Sequence, residues 1–247
     1  MWEILQKELE VHNALKLYKE IEIPTMEILA TMERLGIGVD RKKLEELRNF
    51  FESEESSSIK SAYQAVGHEF NVASPKQLQA VLFEELKLPK TKRIKTGFST
   101  DAESLEWLFS TTKHPVLEAL LRIREVSKLR TTIEGLLSAI ASDERIHTTF
   151  QQTTTATGRL SSTDPNLQNI PIRTEEGRRI RDLFIAGSGF ESLMTADYSQ
   201  IELRIMAHLS EDQALLNAFA AGEDLHTTVG AEVFGVKATE VDADMRR

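Results

Sequence analysis

The residues with the clearest capacity for chemistry lie together in Thr195-Ala196-Asp197-Tyr198-Ser199-Gln200-Ile201-Glu202-Leu203-Arg204. Upstream, Ser192-Leu193-Met194-Thr195-Ala196 has the pattern of a short, mostly buried strand. Downstream, Ile201, Ile205 and Leu209 recur at helical spacing. Asp197 is thereby placed where a strand ends and a helix begins. A carboxylate at such a point can bind a hard cation such as Mg²⁺, with the neighbouring backbone carbonyl as a second oxygen ligand. An aspartate at such a junction is more often the helix N-cap than a metal ligand. Residue type and spacing leave both roles open.

A second constellation runs from Thr157 to Pro171: TGRLSSTDPNLQNIP. It is rich in hydrogen-bonding side chains and has turn formers at Gly158, Asp164 and Pro165. Arg, Asn and Gln can together probe the minor-groove edge of a base pair, where every Watson–Crick pair presents an acceptor, so geometry is checked without reading sequence. An ordinary polar loop satisfying its own backbone is the competing reading. A third stretch, Lys87-Leu88-Pro89-Lys90-Thr91-Lys92-Arg93-Ile94-Lys95-Thr96-Gly97-Phe98-Ser99, carries five basic side chains and no acid. Such a tip between two helices suits contacts to a phosphate backbone, or is simply a solvated surface.

The elements that must position these stretches are mostly helical in the first half. Residues 1–22 have the apolar spacing of two short helices. Pro24 suits a first helical turn and Gly36 a C-terminal stop. Gly36-Ile37-Gly38-Val39-Asp40 reads as a turn, with Asp40 capping a long helix over residues 41–66 whose Leu44, Leu47 and Phe51 face inward. Within it, Glu52–Ser58 is polar all round, a solvated face or a local break. Ser74-Pro75-Lys76-Gln77 and Thr100-Asp101-Ala102-Glu103 are capping boxes. After Pro115, apolar residues from Val116 to Ile140 step by threes and fours over about seven turns. Arg122, Arg124, Lys128 and Arg130 lie on the other face, along a duplex or in solvent.

At Arg145 the period changes to two: Ile146, Thr148 and Phe150 alternate with His147 and Thr149, and Gln151–Thr155 prolongs the extended run. Glu175–Arg181 reads as a short helix whose Arg178 and Arg179 can pair with its own glutamates. Leu215, Leu216, Ala218 and Phe219 mark another helix. A further one follows Asp224, with Val229, Val233 and Phe234 as core.

Composition sets wider bounds. With 40% hydrophobic and 28% charged residues among 247, the chain has the make-up of a soluble globular protein. It lacks cysteine, which excludes disulfides and thiolate metal sites. No apolar run approaches the roughly 20 residues of a membrane span, and the charged N-terminus does not resemble a secretory signal. The net charge of −9 argues mildly against nucleic acid, but phosphate contacts are made by local patches, and the basic residues cluster.

DYSQIELR (Asp197–Arg204) resembles motif A of the family A DNA polymerases, the bacterial DNA polymerase I type. TGRLSSTDPNLQNIP resembles the segment that precedes it in that family, and SPKQL…LPKTKRIKTGFST resembles the family's thumb. Asp224-Leu225-His226 is similar to the entry to the fingers, and Asp244-Met245-Arg246-Arg247 to the opening of motif B. The resemblance implies an α+β fold: a helical thumb, a partial antiparallel-sheet palm and the start of a helical fingers subdomain. The implied divisions are residues 1–23 (end of a 3′-5′ exonuclease-like domain or linker), 24–144 (helical region with the thumb), 145–209 (palm segment with motif A) and 210–247 (start of the fingers).

The implied chemistry is template-directed DNA synthesis, with primer-template duplex and deoxynucleoside triphosphates as partners and two Mg²⁺ ions as cofactors. Asp197 and the Tyr198 carbonyl are implied metal ligands, and Glu202 is implied to exclude a 2′-hydroxyl. Arg173, Gln200, Ile201, Glu202, His226 and Arg246 are implied to contact the incoming nucleotide. Lys92, Arg93, Lys95, Lys128, Arg130, Arg159, Asn166, Gln168 and Asn169 are implied to contact DNA. The second metal aspartate of the family is expected beyond residue 247, so the chain is expected to be a fragment inactive by itself. It is further expected to be a monomer that works in the bacterial cytoplasm, at the nucleoid. Two other readings are a non-catalytic duplex-binding module and an RNA-synthesising relative; Glu202 speaks against the latter.

Overall fold

The computed structural model describes residues 1–172, 174–222, 224–242 and 245. Its N-terminal apolar positions form helices α1 (Trp2–Val11) and α2 (Leu15–Leu17). Helix α2 continues through a π-helical turn, Tyr18–Glu22, into α3 (Ile23–Leu35). Gly36, at φ +60°, ends α3 as expected.

The next residues are a strand rather than a turn. β1 (Ile37–Val39) becomes the centre of a three-stranded antiparallel sheet, between Arg145–Ile146 on one side and Phe184–Ile185 on the other. Glycines on either side of Ile37 disguise it. Gly38 is required by close approach, since a Cβ there would lie 2.9 Å from the Gly187 Cα and from the Ile185 carbonyl.

Asp40 then accepts from the Lys43 N–H at 3.0 Å and starts α4 (Arg41–Val66), which runs unbroken through Glu52–Ser58. The polar run is neither a break nor wholly solvated, because two of its acids face a neighbouring helix. A short helix, α5 (Pro75–Gln79), continues as a π-helical turn over Ala80–Glu85. Ser74 caps it, but the Gln77 side chain accepts from the Asn71 N–H at 2.7 Å, so the capping box is not closed on Ser74.

The basic stretch is a hairpin, not only a loop: β2 (Arg93–Ile94) pairs with β3 (Gly97–Phe98) around Lys95-Thr96. The Phe98 N–H donates to Gln79 Oε1 at 2.9 Å, and the Phe98 ring meets Phe83 edge-on at 5.4 Å. These contacts tie the hairpin to the body and leave Lys92, Arg93 and Lys95 exposed. Helix α6 (Ala102–Thr112) is capped by Asp101, not Thr100, through the Ser104 N–H at 2.8 Å. The Ser99 hydroxyl and the Ser104 N–H hold the Asp101 carboxyl down at about 2.

Helix α7 (Pro115–Ser138) joins two cores. Its first half packs Val116, Leu117 and Leu120 with Ala62, Leu78, Val81, Leu82, Leu105 and Leu108. Its second half packs Val126, Leu129, Ile133 and Leu136 with Val39, Leu44, Leu47 and Phe51. The start of α4 thus meets the end of α7, and the two run antiparallel. Glu54 and Glu55 point across that seam. Arg122 donates to Glu54 at 3.4 Å and to Glu125 at 3.0 Å, and Arg130 donates to Glu55 at 2.9 Å and to Glu134 at 2.6 Å.

The change of period at Arg145 is present. β4 (Arg145–Ile146) pairs back on β1, and β5 (Thr149–Gln151) follows. Beyond Gln151 the chain turns rather than extending to Thr155, and part of the polar segment is itself a strand. β6 (Ser161–Thr163) pairs with β5, with Phe150 opposite Ser162.

The short helix α8 (Glu175–Arg181) is present, but its arginines do not pair with its glutamates. Glu176 binds Arg122 of α7 at 2.9 Å, the Arg179 guanidinium lies over the Phe50 ring at 4.7 Å, and Arg178 reaches toward the Ile172 carbonyl at 3.5 Å. β7 (Phe184–Ile185) completes the sheet.

The chain divides into two compact units, Met1–Leu193 and Met194–Arg247. The second contains α9 (Ile201–Ser210), α10 (Gln213–Ala220), α11 (Leu225–Phe234) and a 3₁₀ turn at Ala238–Glu240. Its buried apolar side chains are Ala207 and Leu225 among the described residues. Val229, Val233 and Phe234, expected as core, are 52%, 71% and 55% exposed. Three short helices have too little volume to enclose them.

Candidate active site

Asp197 is not a helix cap. Helix α9 starts after Gln200, which takes the N-cap position in the left-handed conformation (φ 54°, ψ 40°) without a side-chain cap bond. Asp197 lies three residues earlier, exposed, with no hydrogen-bond or ionic partner among the described residues. The strand expected over Ser192–Ala196 is absent. That segment is irregular and exposed, with Leu193 at 50% and Met194 at 89%. A strand is held by ladder bonds to a neighbour, and among the described residues none pairs with it.

What the second unit does fix is the start of α9. Gln200 accepts the Arg204 N–H at its carbonyl (3.0 Å), and Arg204 Nε returns to the Ser199 carbonyl (2.9 Å). The Arg204 guanidinium then lies 4.4 Å above the Phe219 ring of α10. The turn carrying Ser199 and Gln200 is thereby clamped from its C-terminal side. Glu202 occupies the first turn of α9 and is exposed, while Tyr198 is 80% exposed.

Asp224 brings two of the expected nucleotide contacts together. Its Oδ1 accepts the N–H groups of His226 (3.0 Å) and Thr227 (3.3 Å), capping α11, and also Gln200 Nε2 at 3.4 Å. Gln200 and His226 are thus linked through one carboxylate. Sequence reasoning missed Asp224 as a link and Arg204 as a clamp; the signal for the first was an Asp two residues before His226, at a helix start. Replacing Asp224 with alanine is expected to cost α11 about 1 kcal/mol of cap stability. Amide hydrogen exchange at His226 and Thr227 should accelerate about fivefold relative to wild type. Arg173 and Arg246, also expected to contact the nucleotide, lie outside the described residues, as does most of Asp244–Arg247.

The polar segment is built separately, in the first unit. The buried Thr148 hydroxyl lies 2.6 Å from that of Ser162, 3.0 Å from the Thr163 carbonyl and 2.8 Å from the Pro165 carbonyl. The Leu167 N–H donates to Ser162 Oγ at 3.1 Å. These bonds fold the chain back after the cis Asp164–Pro165 bond. Leu167 and Ile170 pack against the second core, while Asn166, Gln168 and Asn169 are exposed. Asn166 Oδ1 accepts the Gln168 N–H (2.9 Å) and Gln168 Nε2 donates to the Leu160 carbonyl (3.2 Å). Arg159 is exposed on the same segment. Gly177 of α8 seats the far end, where a Cβ would come within 2.7 Å of Pro171.

Of the helix arginines, Arg130 is turned to α4 and ion-paired with Glu55 and Glu134, so it does not stand free on an outer face. Lys128 is exposed and has no acidic partner among the described residues. The Glu176 carboxyl is held below its usual range by its own backbone N–H. Burial works the other way, and the Arg122 guanidinium lowers it further.

A two-core helical body with small antiparallel sheets, a polar hairpin segment and a carboxylate just ahead of a clamped helix define a recognisable class. The model for DNA polymerase family A matches residues 41–247, and the chain belongs to that family. DNA polymerase I of Mycobacterium tuberculosis H37Rv is 55% identical over 243 residues, 98% of this chain and 27% of that protein. DNA polymerase I of Caldicellulosiruptor bescii is 47% identical over the whole chain and 29% of its own length. A solved structure, the POL domain of Pol1 from M. smegmatis in complex with DNA primer-template and dNTP, is 54% identical with a TM-score of 0.92, over 98% of this chain and 43% of that one. The chain therefore spans about a quarter of the length of these curated relatives. No helix among the described residues is long and apolar enough to cross a membrane.

Proposed function

We propose that these residues are part of a template-directed DNA polymerase, supplying its thumb (within residues 24–144), a palm segment (145–209) and the entry to its fingers (210–247). The observation that carries this reading is the likeness, at 54% identity and TM-score 0.92, to a polymerase domain in complex with primer-template and dNTP. The parent acts as a monomer in the bacterial cytoplasm, at the nucleoid, a setting consistent with a chain free of cysteine.

Asp197 and the Tyr198 carbonyl are oxygen donors of the kind hard cations take, and Asp197 is exposed and has no partner among the described residues. Among the described residues no cluster of three metal-binding side chains forms. One carboxylate and one carbonyl suit Mg²⁺, which is commonly held by one or two carboxylates with substrate phosphate and water completing its shell. When bound, two such ions supply charge stabilisation at the attacking and leaving oxygens. The chain's own residues orient and exclude. Glu202 occupies the place of a 2′-hydroxyl; Gln200 and His226, held together by Asp224, contact the nucleotide, and Arg173 and Arg246 are assigned the same role from the family resemblance alone. Arg159, Asn166, Gln168 and Asn169 contact the primer-terminal duplex, and Lys92, Arg93, Lys95 and Lys128 its phosphates. Arg130 has to leave Glu55 to join them.

The test uses the 247-residue chain with a labelled primer-template. The chain is expected to bind duplex at low salt. Changing Lys92, Arg93 and Lys95 to glutamine should flatten the log-affinity against log-salt slope by about 2–3. It is expected not to extend the primer with Mg²⁺ and dNTPs, since one carboxylate cannot offset two divalent ions. Absence of duplex binding at low salt rejects the polymerase reading. Extension that disappears on Asp197→Ala rejects inactivity of the piece alone.

A further inference from the structure

We propose that the concavity between the basic hairpin and α6 binds an unpaired nucleotide of a DNA single strand, its base stacked on Trp107. Leu105 and Leu108 of α6 are fully buried, and the helical register that buries them turns Trp107 outward, 48% exposed. The chain has two tryptophans. Trp2 packs on Tyr18, ring centres 5.5 Å apart, whereas Trp107 has no ring partner among the described residues.

Trp107 instead borders a cavity of about 560 Å³ with Lys90, Thr91 and Lys92 on one wall and Asp101, Glu103 and Ser104 on its own. That volume lies within the range of small-ligand sites. Arg93 and Lys95 continue the positive wall outward, and none of these four cations is ion-paired among the described residues. Lys90 Nζ sits 5.1 Å from the centre of the Phe98 ring, which fixes it on the hairpin side.

The two walls differ in what they can hold. Asp101 is engaged at the start of α6, and Glu103 lies in the first turn of that helix, so negative charge stays on the helix side. Phosphates are therefore confined to the lysine wall, and the apolar face left to a base is the indole. Inside a duplex both faces of every base are covered by stacked neighbours, so away from the duplex ends only an unpaired base can offer one. An aromatic platform beside a cationic track is the usual way single strands are bound, with little dependence on sequence. This site is separate from the minor-groove contacts proposed above. It rests on that reading in taking nucleic acid as the ligand class, and it shares Lys92, Arg93 and Lys95 with the duplex phosphate contacts proposed there.

The experiment uses the full chain carrying Trp2→Phe, in which Trp107 is the sole indole. It is titrated at low salt with labelled oligothymidylate of about twelve nucleotides, a length within single-strand site sizes, and in parallel with a blunt duplex. Saturation with oligothymidylate is expected to quench Trp107 emission. Trp107→Ala is expected to weaken oligothymidylate binding about tenfold, Trp107→Phe by less than about threefold, and duplex affinity is expected to stay within about twofold in both. Emission that is unchanged at saturation, equal oligothymidylate affinity in Trp107→Ala, or no oligothymidylate binding would each overturn the site. In those cases intact duplex binding leaves the polymerase reading standing, whereas loss of duplex binding by the unmutated chain overturns that reading instead.

Discussion

Replacing Asp197 with alanine in a polymerase domain that carries these residues is expected to lower primer extension by about three orders of magnitude. Duplex affinity and melting temperature should hardly change. Asp197 is exposed and makes no hydrogen bond or ion pair among the described residues, and α9 begins only after Gln200. The carboxylate therefore supports neither the fold nor the helix, and its removal falls among surface substitutions, usually within about 0.5 kcal/mol. Its proposed use is in holding cations that stabilise transition-state charge by several kcal/mol, and about 1.4 kcal/mol corresponds to tenfold in rate. Single-turnover extension at saturating primer-template separates the two effects. A loss of duplex binding that matched the loss of rate would show Asp197 to be a structural or DNA-contacting residue instead.

The helix that follows Asp197 was legible because the informative pattern is local. The order of residues from Thr195 to Arg204 is preserved whatever packs around it, and the helix after Gln200 follows from Ile201, Ile205 and Leu209. Helices were legible for the same reason: their caps, Asp40 and Ser74 among them, act within three or four residues. Features that depend on distant partners were not. β1 is a strand because Ile146 and Phe184, far away in sequence, present free ladder positions to Ile37 and Val39. Its glycines hid this by resembling a turn. β6 lies inside a segment whose composition says loop, and it is set by pairing with β5.

The opposite error came from apolar residues. Ser192–Ala196, Val229, Val233 and Phe234 have the sequence pattern of buried elements but are exposed within the units described. Apolar composition states a demand for burial, and only tertiary contacts state whether it is met. Charge behaved alike. Arg122, Arg124, Lys128 and Arg130 formed one polar face in the sequence, yet Arg122 and Arg130 are consumed by Glu54, Glu55 and Glu176 from other helices, and Lys128 is left accessible.

Phe51→Ala is expected to destabilise the first unit by about 3–5 kcal/mol, the range for a buried aromatic truncated in a well-packed core. Phe51 is 0% exposed and sits on α4 at the centre of the second core, against the face of α7 that carries Val126, Leu129, Ile133 and Leu136. The loss combines apolar area returned to water with the contacts forfeited around the cavity, since the antiparallel α4–α7 pair is pinned by ion pairs at Arg122 and Arg130 and closes only partly. Natural domains hold about 5–15 kcal/mol in reserve, so this one substitution removes a large share.

The effect should extend to the candidate site. Ile180 of α8 belongs to the same core, and Leu167 and Ile170, which alternate with the exposed Asn166, Gln168 and Asn169, pack on it. Urea unfolding should show a lower midpoint at an unchanged slope, with hydrogen exchange accelerated across residues 161–170 as well as along α4 and α7. Phe51→Leu, which keeps most of the volume, is expected to recover more than half of the loss. If Phe51→Ala shifted the urea midpoint no more than an exposed substitution such as Lys60→Ala, the second core would not be the element that holds the polar segment in place.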